Sequence, residues 1–320
     1  MSAPRAEDVA REIFDGRVAL VTGGARGIGR AIAAYLVANG VRVVIADCGL
    51  STAGEPDDPE IAGKACAEIG CGAVPYSENL KRPEAGAGAV ARALDAFGRL
   101  DLIVNNAAIM PASSIQKMST AQWEDAIGCN LSAAFYIVRA VVPHFRARAK
   151  TSPPARANGT GQIINMISPA AFHAYPGVAG YAAAKAGLMA FTRSCMHELG
   201  GASVTSNALL PFAATRATAE LQPADAKMAR YKEGALKVPA GPICTFIGYL
   251  CSAPGAGANG QIFAVRGREI TLYSQPRPVA RLVRETAWDI PSLAQAVDTE
   301  LKDKLTGMEM DFDDWGEPHL

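Results

Sequence analysis

Val18-Ala19-Leu20-Val21-Thr22-Gly23-Gly24-Ala25-Arg26-Gly27-Ile28-Gly29 reads as a strand, a glycine-rich turn and the start of a helix. The strand is apolar on both faces, as a parallel strand covered by helices must be. Gly23, Gly27 and Gly29 permit a tight turn and let backbone approach a ligand closely. The free N–H groups and positive dipole end of the following helix favour a pyrophosphate. A lone glycine cluster would carry little weight; the strand before it and the helix after it supply the context. Gly23, Arg26, Gly27, Ile28 and Gly29 are therefore the expected phosphate-side residues.

The same alternation continues outward. The helix from about Ile28 to Ala38 stops at Asn39-Gly40, a C-terminal signal. A second apolar strand, Val41 to Ala46, leads to Asp47, 18 residues after Gly29. That is the expected place for an acid that hydrogen-bonds the adenosine ribose hydroxyls. A 2′-phosphate there would face a carboxylate, so NAD is expected over NADP, although Arg26 pulls toward phosphate. Further buried strands are expected at Leu102 to Val104, Ile163 to Ile167, Val204 to Leu210 and Ile262 to Val265. Between them, Ser119-Thr120-Ala121-Gln122 is a capping box, and a helix containing Tyr181 to Leu199 ends at Gly200-Gly201. Strand–helix alternation of this kind implies a doubly wound α/β sheet. Gly49 to Glu60 reads as a surface insertion, and Arg146 to Gly161, with Pro153-Pro154, as a loop. One domain is expected over 16–270, preceded by an extension at 1–15. The tail 271–320, with Trp288 and Trp315, would wrap the domain or contact a neighbouring subunit.

Composition narrows the function classes. The 320 residues are 49% hydrophobic, enough for a large core. Lys plus Arg and Asp plus Glu number 31 each, so no nucleic-acid or anionic-membrane partner is indicated. No run of 18 apolar residues exists, so no membrane span is expected. The charged N-terminus lacks the apolar stretch of a secretory signal. Seven cysteines, an odd number at irregular spacings, suit free thiols in a reducing cytoplasm and offer no metal pattern.

Tyr181-Ala-Ala-Ala-Lys185 places a phenol and an ammonium on one helix face. Oxidising an alcohol removes a proton from oxygen and a hydride from carbon. A phenol with pKa near 10 is a poor base at neutral pH, and a neighbouring ammonium is expected to lower that value. Ser168, 13 residues before Tyr181 at a strand end, is placed to orient the substrate oxygen. Asn130 interrupts an apolar helical stretch and must find partners, either structural ones or a relay water.

Together these motifs resemble the short-chain dehydrogenase/reductase family: Thr22 to Gly29, Asn105-Asn106-Ala107-Ala108, Asn130, Ser168 and Tyr181-x-x-x-Lys185, over roughly Gly16 to Gly267. The resemblance implies a Rossmann-like single domain, assembled as a homodimer or homotetramer. It implies Tyr181 as general acid/base and Lys185 as holder of the nicotinamide ribose. Ser168 would orient the substrate and Asn130 would position a relay water. Asn106 and Ala107 would lie along the cofactor, with further contacts from Asn79, Leu80, Phe212 and Thr215. The insertion after the second strand and the stretch Asn207 to Thr218 resemble the hydroxyacyl-CoA dehydrogenase part of peroxisomal multifunctional enzyme type 2. Three departures stand out: Phe212 where many members have Gly, Asn79 where an Asp commonly meets adenine, and Pro169 where a second Ser is usual.

The substrate pocket is expected from Met110, Pro169, Phe172, His173, Tyr175 and Phe212. This mostly apolar and aromatic set favours a hydrophobic or aromatic-ringed small-molecule substrate, such as a steroid, acyl-CoA, terpenoid or aryl alcohol, over a small charged acid. The reading is an NAD-linked oxidoreductase acting on a secondary alcohol or ketone. The alternatives are an NADP-linked ketone reductase and a non-catalytic dinucleotide-binding protein of the same fold.

Overall fold

The computed structural model describes residues 13–14, 16–151, 159–173, 175–223 and 226–305. Its eight strands are β1 (Val18–Thr22), β2 (Arg42–Ala46), β3 (Ala73–Tyr76), β4 (Leu102–Asn105), β5 (Gly161–Met166), β6 (Val204–Phe212), β7 (Ile262–Arg266) and β8 (Glu269–Tyr273). They form one sheet in the order β3-β2-β1-β4-β5-β6-β7-β8. All neighbours are parallel except β7 and β8, an antiparallel hairpin turning at Gly267, φ 55°. The described helices are α1 (Gly27–Ala38), α2 (Ile61–Ile69), α3 (Pro83–Phe97), α4 (Thr120–Ile127), α5 (Ala133–Thr151), α6 (Ala179–Leu199), α7 (Arg216–Glu220), α8 (Ala226–Ala235), α9 (Gly241–Leu250) and α10 (Ile290–Glu300).

The period-two geometry of strands splits the core into two layers. Ala19 and Val21 of β1, with Val43 and Ile45 of β2, pack against Ile32, Ala33 and Leu36 of α1 and Ile243 and Ile247 of α9. Val18, Leu20 and Val44 face the other way, onto Ala89 of α3, Ile137 and Val141 of α5, and Cys195 and Leu199 of α6. Both faces are covered, which is the Rossmann-like doubly wound arrangement expected from the apolar strands. The order reverses between β1 and β4, and that switch point opens a crevice beyond the strand C-termini.

Several local features follow the sequence closely. α1 ends with Asn39 as C-cap and Gly40 at φ 89°. Ser119 and Gln122 form the capping box, at 3.1 and 3.0 Å. Two strands were not anticipated. β3 carries Pro75, tolerated because β3 is an edge strand. β8 is the other edge and exposes Ile270 and Leu272. The expected loop Arg146 to Gly161 needs correction, since α5 runs on to Thr151. Arg148 draws that last turn inward, pairing with Asp101 at 2.8 Å and donating to the Leu100 carbonyl at 3.0 Å. Pro153-Pro154 lies outside the described residues.

The helical stretch 120–151 is long and apolar enough, by length and composition, to cross a membrane. Its apolar residues Ile137, Val141 and Phe145 are fully buried against the sheet. β8 spans position 270, and the chain after it is tied back by Gln275, whose amide donates to the Gly260 carbonyl at 3.1 Å. α10 buries none of its residues. Trp315 and the acidic end lie outside the described residues.

Candidate active site

A cleft of 350 Å³ runs along the strand C-termini from the glycine turn to Tyr181. At one end the turn is built by backbone contact. Gly23 (φ 60°) and Gly27 (φ 52°) adopt left-handed conformations that favour glycine. A Cβ on Gly29 would lie 2.1 Å from the Gly23 carbonyl oxygen and 2.5 Å from Asn106 Nδ2. Thr22 Oγ1 accepts the N–H groups of both Asn106 and Ala107 at 2.9 Å, and Asn106 Nδ2 donates back to the Thr22 and Gly23 carbonyls at 3.0 and 3.2 Å. The ends of β1 and β4 are thereby latched together. Gly23, Arg26, Gly27 and Ile28 line the cleft; Gly29 supports it from behind.

Asp47 closes β2 at this end. Its carboxylate accepts the N–H of Ala25 at 3.2 Å and of Gly49 at 3.0 Å. Asn79 and Leu80 follow on the same wall; Asn79 Oδ1 accepts the Lys81 N–H at 3.1 Å. Thr215 caps α7 across the cleft, its hydroxyl accepting the Thr218 N–H at 3.2 Å. The expectation that Gly49 to Glu60 is a surface insertion is only half met. Leu50 and Thr52 line the cleft, Thr52 accepts the Met110 N–H at 2.7 Å, and the Thr52 hydroxyl contacts the Glu220 carboxylate. Arg26 reaches Asp57 at 2.5 Å and the Leu50 carbonyl at 3.3 Å, so its guanidinium engages the insertion.

The other end holds a buried cation. Lys185 is 2% exposed, and its Nζ donates to the Met166 carbonyl at 2.7 Å. Burial lowers its pKa to about 8, with a small opposing push from Cys129. The ammonium lies 5.6 Å from the Tyr181 ring centroid. Burial pushes the Tyr181 phenol well above its ordinary value of 10. The Ser168 hydrogen bond pulls it back, and the Tyr175 and Tyr231 phenols push it up. The sequence expectation made Lys185 the lowering group. In the described structure the lowering influence on the phenol is Ser168. Ser168 also caps the turn begun by Pro169, accepting the Ala170 N–H at 3.2 Å.

Asn130 sits in a π-helical turn, Gly128–Ser132, between α4 and α5. Such bulges recur at functional sites. Its Nδ2 donates to the Ile109 carbonyl at 2.8 Å and the Ala126 carbonyl at 2.9 Å, while its Oδ1 is buried without a partner.

Of the expected substrate residues, Met110, Pro169, Tyr175 and Phe212 line the cleft. Phe172 and His173 do not. Phe172 stacks on Tyr273 of β8, centroids 5.0 Å apart and planes within 5°, and His173, next to it, is likewise absent from the cleft lining although Pro169 and Tyr175 of the same loop are on it. Sequence reasoning missed Tyr231 of α8, which lines the cleft beside Tyr175; burial raises its pKa to about 12. It lies on a polar helix with no local signal. Arg216, on α7 and inside the stretch Asn207 to Thr218, also lines the cleft without having been given a role of its own.

A glycine turn at a sheet switch point, a carboxylate ending β2, and a phenol, hydroxyl and buried ammonium at the far end suit a dinucleotide lying between two such ends. Residues 17–226 match the short chain dehydrogenase family model, and the chain belongs to that family. Its relatives there include hydroxyacyl-CoA dehydrogenases and 3-oxoacyl-[acyl-carrier-protein] reductases. It is 32% identical over 299 residues to the hydroxyacyl-CoA dehydrogenase ChsB1 of Mycobacterium tuberculosis, covering 92% of this chain and 90% of that one. The Escherichia coli 3-oxoacyl-[acyl-carrier-protein] reductase FabG is 33% identical over 263 residues, covering 79% and 97%. A crystal structure of a short chain dehydrogenase from Mycobacterium avium superposes with a TM-score of 0.75 at 29% identity, covering 90% of this chain and 95% of that one. The family binds a nicotinamide dinucleotide, and the protein is an oxidoreductase.

Proposed function

We propose that the protein interconverts a secondary alcohol and a ketone on a hydrophobic substrate, with NAD as cofactor and Tyr181 as the acid/base. The relatives' names favour an acyl thioester as that substrate, and the apolar Met110, Phe212 and Leu221 lining the cleft suit its chain. The observation that carries the reading is the far end of the cleft: Tyr181 and Ser168 line it together, and Lys185 is buried there with its Nζ on the Met166 carbonyl.

The residues fit a dinucleotide. The glycine turn leaves no room for a Cβ at Gly29, and Lys185 is a buried cation with only a carbonyl on its Nζ. The turn at Gly23 to Ile28 would hold the pyrophosphate, Asp47 the adenosine ribose, Lys185 the second ribose, and Asn106, Ala107, Phe212 and Thr215 the middle and nicotinamide end. When bound, the nicotinamide supplies the carbon that exchanges hydride with substrate. Ser168 Oγ orients the substrate oxygen, and Tyr181 Oη takes or returns its proton. The unpaired Oδ1 of Asn130 accepts a water that continues the proton path. Asp47 repels a 2′-phosphate, which is the basis for NAD over NADP. A homodimer or homotetramer is proposed as the working assembly; exposed Trp123 and Phe135 on α4 and α5 support it.

The test is NADH-linked turnover of 3-oxoacyl thioesters of increasing chain length. Tyr181→Phe is expected to lower kcat about 10³-fold while NADH still binds. Undiminished turnover would remove Tyr181 from the chemistry.

A further inference from the structure

We propose that Asp57, in the insertion after β2, is a cofactor-specificity residue: it is an internal counter-anion that occupies the two arginines a 2′-phosphate would need. This rests on the NAD reading above.

The geometry is specific. One Asp57 oxygen receives Arg26 Nη1 at 2.5 Å and Arg216 Nη1 at 3.2 Å. The remaining Nη2 groups both point at one carbonyl, that of Leu50, at 3.3 Å for Arg26 and 3.1 Å for Arg216. Two guanidiniums, one from the glycine turn and one from α7, are thus held on two acceptors of the insertion. Both arginines line the cleft. Arg26 follows Ala25, whose N–H binds Asp47, so a released Arg26 side chain would start from the neighbourhood of the adenosine ribose.

A 2′-phosphate carries a double negative charge and is best received by bidentate guanidinium donors. Four described cations line the cleft: Arg26, Lys81, Lys185 and Arg216. Lys185 belongs to the far end, and Lys81 pairs with Asp125. Arg26 and Arg216 are therefore the candidates, and both are held by Asp57. NADPH would have to displace that carboxylate while also meeting Asp47; NADH meets neither cost. Asp57 is half-exposed, so solvent screening keeps the effect moderate.

The experiment measures Kd for NADH and NADPH by nicotinamide fluorescence in the full chain, which requires no substrate. In Asp57→Asn the ratio Kd(NADPH)/Kd(NADH) is expected to fall about tenfold, on the scale of a charge-assisted contact. Asp57→Glu keeps the wild-type ratio. Adding Arg26→Ala and Arg216→Ala to Asp57→Asn cancels the gain. General damage to the insertion would raise both Kd values together and leave the ratio unmoved. An Asp57→Asn ratio within about twofold of wild type, or a gain that survives loss of both arginines, overturns the proposal. The wild-type ratio tests the NAD reading separately: preference for NADPH there sinks that reading and leaves the change on Asp57→Asn as its own measurement.

Discussion

The two ends of the cleft use charge in opposite ways. At the glycine turn, Arg26, Arg216 and Asp57 are partly exposed, mutually paired and screened by water. At the far end Lys185 is buried with its Nζ on a carbonyl. The first arrangement sorts ligands by small differences in charge. The second stores a large electrostatic imbalance, because a desolvated cation has only dipoles to stabilise it. The difference teaches that burial sets the scale of each group's effect, more than the number of charges present.

That contrast is tested most severely at Lys185. Lys185→Met is expected to lower kcat by about 10³-fold, measured by steady-state turnover. It should also change the pH dependence of stability. The folded pKa of about 8 lies below the ordinary 10.5, so the unfolded chain binds more protons between those values. Wild-type stability should therefore rise with pH across that window, and the Met variant should lack the rise in thermal midpoint. A flat wild-type profile would break the contrast. Gly29→Ala probes the rigid end. Its Cβ would sit 2.1 Å from a backbone oxygen, so a loss of about 3 kcal/mol is expected in urea unfolding, with weakened dinucleotide binding. Smaller still is Thr22→Val, which strands the Asn106 and Ala107 N–H groups. About 2 kcal/mol should be lost; a neutral result would mean that the latch between β1 and β4 is dispensable.

Much of the fold was legible because β1, β2 and β4 to β7 are largely buried on both faces and each carries an apolar run, such as Val43 to Ala46 in β2 and Leu102 to Val104 in β4. β3 and β8 were not, because edge strands tolerate Pro75 and an exposed Ile270 and Leu272. The end of α5 escaped notice since Arg148 is helical through a tertiary pairing with Asp101. Tyr181, Lys185 and Ser168 were legible from helix spacing and a strand end. The wider geometry was not. Local sequence places Phe172 and His173 between Ser168 and Tyr181, yet Tyr273 decides where Phe172 points. Arg26 looked free for phosphate because Asp57 lies in a segment whose path only the folded chain reveals. Tyr231 had no nearby pattern at all.

The Phe172–Tyr273 stack has a consequence in time. The rings are about a hundred positions apart in the chain, and one of them holds the loop that begins at Ser168. During synthesis the glycine turn, β1 and β2 emerge first and can begin to fold together. The loop beside Tyr181 acquires its last support only when the eighth strand has left the ribosome. The glycine turn and β2 are thus synthesised long before the residue that stacks on the loop beside Tyr181, so the two ends of the cleft acquire their supports at different stages of chain growth.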